Sequence, residues 1–223
     1  MGKVWDNNFK KLCEFKNLHG HTNVPKSFED TKLARLVISL RQQKRSGSLK
    51  PERELALLQL GFDFDPLESK WQSNYKSVVE FYRLNGHASP NRRSDNEHER
   101  GLAEWVHRMH KLVRECELDR DKVRQLQLIN IDGNPAEYRI NRDGLPRVFA
   151  SFIERLNSQI ARTGSDMHSN ITDQGLYQWL VLQDERINAS LITPREYTTL
   201  MHTGFTLEIA ATQKVVQFRQ KSA

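Results

Sequence analysis

Cysteine is almost missing from this chain: among 223 residues only Cys13 and Cys116 occur. Their spacing suggests no pairing, which excludes a disulfide framework and fits a reducing compartment. Long apolar runs are missing too. Nothing approaches the roughly 20 residues that span a bilayer, and the start, MGKVWDNNFK, lacks the apolar stretch of a signal peptide. Gly2 follows Met1, but Asp6 stands where a myristoylation signal carries Ser or Thr. These absences predict a soluble, cytoplasmic protein with no membrane partner.

Charge is plentiful but only mildly unbalanced, with a net +6. That pulls weakly towards polyanions, and its distribution says more. Eleven basic residues face eight acidic ones over 4–66, a net +3, and twelve face eleven over 67–133, a net +1. Over 134–208 seven face nine, a net −2. Electrostatic attraction to nucleic acid therefore belongs to the first two thirds of the chain.

The dominant feature is a repeat. Trp5, Phe9, Leu12 and Phe15 recur at helical spacing and line one face. The same stripe returns 66 residues later as Trp71, Tyr75, Val78 and Phe81, and Gly20-His21 returns as Gly86-His87. A second helix follows in each copy: LARLVISLR (33–41), LAEWVHRMH (102–110) and LYQWLVLQD (176–184). A third closes each: 49–62, 118–131 and 192–205. Pro51 and Pro194 suit a first helical turn, where a missing N–H costs nothing. Gly61, Asn130 and Gly204 suit the left-handed residue that ends a helix, with Phe62, Ile131 and Phe205 folding back as apolar plugs.

The predicted fold is all-α. It has three tandem three-helix units at 4–66, 67–133 and 149–208, the third divergent, with a linker over 134–148 and a short C-terminal helix over 209–223. About 60 residues bury a thin core, so neighbouring units are expected to pack on one another. In the third unit Phe149, Ile153, Leu156 and Ile160 form the first stripe, and Thr163-Gly164 stands where the first unit has His19-Gly20.

The order Trp, Phe, Leu, Phe, then HGHTNVP, LARLVISLR, SGSLKPER and LGF resembles the helicase-associated domain, a three-helix repeat found in tandem behind bacterial helicase motors. The likeness is close over 4–64, moderate over 71–131 and faint over 149–207. It implies nucleic-acid binding. Leu36 replaces the family's usual Trp, which Trp105 and Trp179 keep, and Arg41 becomes His110 and then Asp184. No G-x-x-x-x-G-K-[ST] loop is present, so the chain holds no helicase motor.

The Gly-His loops admit several chemistries. A His-x-His pair could bind zinc, but a structural site needs four closing ligands, and no cysteine lies near His19 or His21. Acid–base catalysis needs a second group at a meaningful spacing; Glu29 and Asp30 follow in the first unit, where the second has RRSDNEHE. The structural alternative has the glycine ending the helix and the histidine hydrogen-bonding a loop carbonyl across the bundle. The loop tails, Asn23 and Lys26 or Asn91, Arg92 and Arg93, could then touch phosphate.

Arg41, Lys44 and Arg45 lead into the turn before the third helix. Arg108, Lys111 and Arg114 do so in the second unit. Cations beside a helix N-terminus suit phosphate, and a solvated charged face is the competing reading. Trp5 and Trp71 start apolar stripes and are expected in the core. The candidate nucleic-acid contacts are therefore His19, His21, Asn23, Lys26, Arg41, Lys44, Arg45, His87, Asn91, Arg92, Arg93, Arg108, Lys111 and Arg114. No catalytic residue, metal or cofactor is expected. The favoured partner is nucleic acid, duplex DNA ahead of RNA. The alternative is an adaptor that recruits or inhibits a helicase or nuclease, with repeat 3 as the protein-binding part.

Overall fold

The computed structural model describes residues 3–136, 140–163, 171 and 173–204. Within them the chain forms helices joined by loops: α1 Lys3–His19, α2 Thr31–Arg45, α3 Pro51–Gln59, α4 Pro66–Asn85, α5 Glu97–Arg114, α6 Arg120–Leu128, α7 Arg147–Thr163, α8 Gln174–Asn188 and α9 Pro194–His202. A long helix, a second long helix and a nine-residue helix follow one another three times. The fold is the all-α tandem repeat that the sequence predicts.

Local rules set the helix ends. Asp30, Asn96 and Asp173 cap the second helices through side chains that accept N–H groups of the first turn. Pro51 and Pro194 occupy first-turn positions, and Thr193 with Glu196 forms a full capping box. Gly61, Asn130 and Gly204 take positive φ after the third helices. The amides of Phe62 and Ile131 then reach back to Leu57 and Leu126 at 2.8 and 2.9 Å, which seats both plugs in the core at 5% and 0% exposure. The second helices end the same way at Gly47, Cys116 and Ser190. Cys116 and Ser190 hold this left-handed turn without glycine's freedom.

Two compact units result, one up to Ser73 and one from Asn74 on, with α4 running through the division. In the first, Trp5, Leu12 and Phe15 of α1 pack with Val37 and Leu40 of α2 and Leu57 of α3. In the second, repeats 2 and 3 share one body. Val78, Val106, Met109 and Leu126 are buried in repeat 2, and Phe149, Leu156, Leu176, Trp179 and Leu200 in repeat 3.

Tyr82, one position beyond the expected stripe, is buried while Phe81 is only half-buried. Residues 140–146, expected as linker, close a tight turn in which Asn141 N–H donates to the Leu145 carbonyl at 2.8 Å. Leu145 joins the third core, and α7 starts at Arg147, inside the expected linker. The Phe205 plug, Gly164 and the C-terminal helix over 209–223 lie outside the described residues.

Repeat 3 is joined to repeat 2 through a buried polar cluster. Arg186 of α8, 1% exposed, donates to the Leu128 carbonyl at the end of α6 (3.2 Å), to Gln183 Oε1 (2.7 Å) and to both carboxylate oxygens of Glu196 (3.1 and 2.9 Å). It also donates to the Tyr82 hydroxyl of α4, which accepts Asn130 Nδ2 at 3.2 Å as well. On the surface, Arg124 of α6 pairs with Glu185 of α8 at 2.7 Å. The third helix of repeat 2 thus docks on the second helix of repeat 3.

Candidate nucleic-acid interface

Gly20 and Gly86 end α1 and α4 at φ +76° and +74°, as the loops require. Among the described residues, the histidines that follow reach no carbonyl. His21 Nδ1 instead accepts the Asn23 N–H at 3.2 Å, and His87 Nδ1 accepts the Ser89 N–H at 3.2 Å. Each ring holds the second amide beyond it. His19 lies with its ring 4.2 Å from Phe15 and 6.2 Å from His21. The second loop is the more enclosed: a Cβ on Gly86 would lie 3.4 Å from the Thr193 methyl. Among the described residues no three His, Cys, Asp or Glu side chains gather as a metal site would need.

Several predicted contacts prove to be engaged within their own repeat. Arg41 donates from Nη2 to Asn23 Oδ1 at 2.6 Å and from Nε to the Asp63 carbonyl at 3.0 Å, with its guanidinium 5.5 Å from the centre of the Phe62 ring. Burial pushes its pKa down, against the charges of Asp63 and Asp65, yet an arginine stays a cation at any ordinary pH. Asn23 Nδ2 also reaches Asp63 Oδ2 at 3.4 Å, and the buried Thr22 hydroxyl accepts the Asp63 N–H at 3.1 Å. Arg41 and Asn23 therefore staple the Gly-His loop to the segment after α3. Lys44 is paired with Glu54 across the turn.

In repeat 2, His110 occupies the position of Arg41. It is 7% exposed, and its Nδ1 accepts the Gly133 N–H at 3.3 Å. Burial pushes its pKa below the usual 6.5; Asp132 opposes that shift, and His107 and Arg114 add to it. Arg92 grips Glu104 with two bonds of 3.1 and 3.2 Å. Arg114 Nη1 donates to the Gly133 carbonyl at 3.4 Å, Lys111 lies 3.9 Å from Glu115, and the Asn91 N–H donates to Glu99 at 2.8 Å.

What remains open is a smaller set. The side chains of Lys26, Arg45, Arg93 and Arg108 are exposed and make no ion pair or hydrogen bond among the described residues. Arg35, which the sequence reading passed over, joins them. Its signal was available: Arg35, Ile38, Gln42 and Arg45 follow one another at spacings of three, four and three, the outward face of an amphipathic helix. Helix α2 as a whole carries five cations, Lys32, Arg35, Arg41, Lys44 and Arg45, and no carboxylate. Trp5 and Trp71 are buried, and the Arg53 guanidinium covers the Trp5 ring at 4.6 Å, which removes Trp5 as a base-stacking platform.

Repeat 3 uses the same positions differently. Gln178, Val181, Glu185 and Asn188 replace Arg35, Ile38, Gln42 and Arg45, and Glu185 there holds Arg124 of α6. Glu196 stands where repeats 1 and 2 carry Arg53 and Lys122, a reversal of sign that accommodates Arg186. The Thr193-x-x-Glu196 spacing marks a cap in the sequence, but the second duty of Glu196 depends on Arg186 and Tyr82, which sequence spacing alone does not bring together.

No curated protein and no solved structure matches this chain. The helicase associated domain matches it twice in succession, over residues 2–65 and 68–134. The first match takes in α1 to α3, with the Gly20 loop and the open face of α2, and the second takes in α4 to α6. These two stretches make up more than half of the chain, which therefore belongs to the helicase associated domain family.

Proposed function

We propose that this chain is a non-catalytic nucleic-acid-binding module that holds duplex DNA by its phosphates, chiefly through repeat 1. One observation carries the reading. The outward face of α2 presents Arg35 and Arg45 with no partner among the described residues and no acid on the same helix, and Lys26 is exposed in the adjoining loop. Phosphate contacts supply most of the affinity of such modules and fix orientation. Arg93 and Arg108 offer a contact of the same kind in repeat 2, while Arg41, Asn23, Lys44 and Arg92 shape the surface and do not touch the ligand. Repeat 3, net negative, stays off the polyanion and braces repeat 2.

Fluorescence anisotropy of the full chain against labelled duplex, single-stranded DNA and RNA over a salt series tests this. The expected result is preferential duplex binding whose log affinity falls with log salt by roughly 0.9 per phosphate contact. Failure of all three ligands at low salt would overturn the proposal.

The adaptor reading also has an observation on its side. Leu55 and Leu58 of α3 are 58% and 55% exposed, at the positions where α6 carries Arg124 and Gln127 towards repeat 3. An apolar third-helix face of that kind suits a protein partner. A chain that binds no nucleic acid but loses a helicase or nuclease partner on Leu58→Glu would favour it.

A further inference from the structure

We infer that α2 of the first repeat is a recognition helix that reads base edges in the major groove of duplex DNA. The inference rests on the nucleic-acid reading above and goes beyond it, since phosphate contacts alone carry no sequence information.

The outward face of α2 differs from a generic cationic stripe in what it presents. At 3.6 residues per turn, Arg35, Ile38, Gln42 and Arg45 fall within an arc of about 80° and span about 15 Å of helix axis, close to the rise of four to five base pairs. Their chemistry matches the groove position by position. Arginine pairs with both acceptors of guanine, glutamine with the donor and acceptor of adenine, and an aliphatic group with the thymine methyl. Arg35, Gln42 and Arg45 are exposed without partners among the described residues, and Ile38 is 41% exposed. Ile38, Gln42 and Arg45 flank an open concavity completed by Arg41 and Ser46.

Three further polar residues of α2 are tied down beside the reading set, while Lys32 in the first turn stays exposed and unpaired among the described residues. Arg41 is held by Asn23 and Asp63, Lys44 by Glu54, and Gln43 donates to Ser39 at 2.9 Å. No carboxylate on α2 opposes entry into the groove. The corresponding faces elsewhere cannot do the same. In α5, Glu104 sits at the position of Arg35 and is spent on Arg92; in α8, Glu185 sits at the position of Gln42 and is spent on Arg124.

The test uses the full chain. A random duplex library is put through rounds of selection, and the enriched site is compared with a scrambled duplex by anisotropy for wild type, Gln42→Ala, Arg45→Ala and Lys26→Ala. The expected outcome is an enriched core of four or five base pairs. Gln42→Ala and Arg45→Ala lose roughly five- to hundred-fold on the selected site and far less on the scrambled one. Lys26→Ala weakens both duplexes equally. Circular dichroism of each variant keeps loss of fold apart from loss of contact. Binding without any enriched sequence, equal losses for Gln42→Ala on both duplexes, or preference for single strands would overturn base readout while leaving phosphate binding standing. Absence of binding to every nucleic acid overturns both readings.

Discussion

Helices α2 and α8 are the same element of the same repeat, fifteen residues each, and they are put to opposite uses. The outward face of α2 is basic and open; that of α8 holds Glu185 and leads to the buried Arg186, and α6 lies against it. The difference comes from a few substitutions on a constant scaffold: Glu185 for Gln42, Arg186 for Gln43 and Glu196 for Arg53. Repetition fixes the cores and caps, and each outer face is then free to become either an interface within the chain or a surface for a ligand.

The largest effect that sharpens this contrast lies in repeat 3. Glu196→Ala leaves Arg186 charged and buried, with Tyr82 and Gln183 too weak a substitute. Breaking such a pair costs about 3–5 kcal/mol, so urea unfolding should show the unit from Asn74 on strongly destabilised while duplex binding by the folded chain persists. Arg186→Met combined with Glu196→Leu should recover much of the loss, because an apolar replacement of similar volume needs no desolvation. A double variant as unstable as the single would show that the pair contributes more than compensation for its own burial.

A smaller effect is expected in repeat 1. Arg41→Ala removes two charged hydrogen bonds and frees the Gly-His loop, at a cost of about 2 kcal/mol, and should weaken duplex binding less than Arg45→Ala does. The reverse order would place Arg41 on the ligand.

Next comes pH. His110 accepts the Gly133 amide when neutral, and its folded pKa is depressed by burial. Between that value and 6.5 the unfolded chain binds the extra proton, so stability is full above about pH 6.5 and falls as the pH drops towards the folded value. Denaturation midpoints measured from pH 8 to 5 should show the decline, and His110→Gln should flatten it. Arg41, its counterpart in repeat 1, titrates nowhere in that range.

The smallest expected effect is a gain. Cys116 takes φ +55° where Gly47 does the same work at +70°, so Cys116→Gly should raise thermal stability by about 0.5–1 kcal/mol.

Much of the fold was legible because it is written by local rules repeated three times. Apolar spacing, Pro51 and Pro194 at helix starts, and Gly61, Asn130 and Gly204 at helix ends each depend on residues a few positions apart. The site was legible in part. Spacing places Arg41, Lys44 and Arg92 among cations on a turn or loop, but their commitment to Asn23, Glu54 and Glu104 is set by side-chain reach between elements, which a linear pattern does not record. Arg35 falls outside the predicted set for the converse reason: it lies in the first half of α2, away from the turn that suits phosphate, although its 3-4-3 spacing with Ile38, Gln42 and Arg45 is plain in the sequence. Arg186 reads as one more surface charge in LQDERIN until Tyr82 and Glu196, from two other helices, are brought against it.

The most direct test of the central claim, that the open face of α2 is the nucleic-acid surface, is a comparison of two charge-matched variants. Arg35→Glu with Arg45→Glu reverses that face, and Lys70→Glu with Lys76→Glu makes the same change in net charge at exposed positions of α4. Duplex affinity is measured for both at low salt, with helical content checked by circular dichroism. The account predicts that the α2 pair abolishes binding, while the α4 pair weakens it only mildly. Equal losses in the two variants would mean that only net charge matters and would contradict the assignment of the surface to α2.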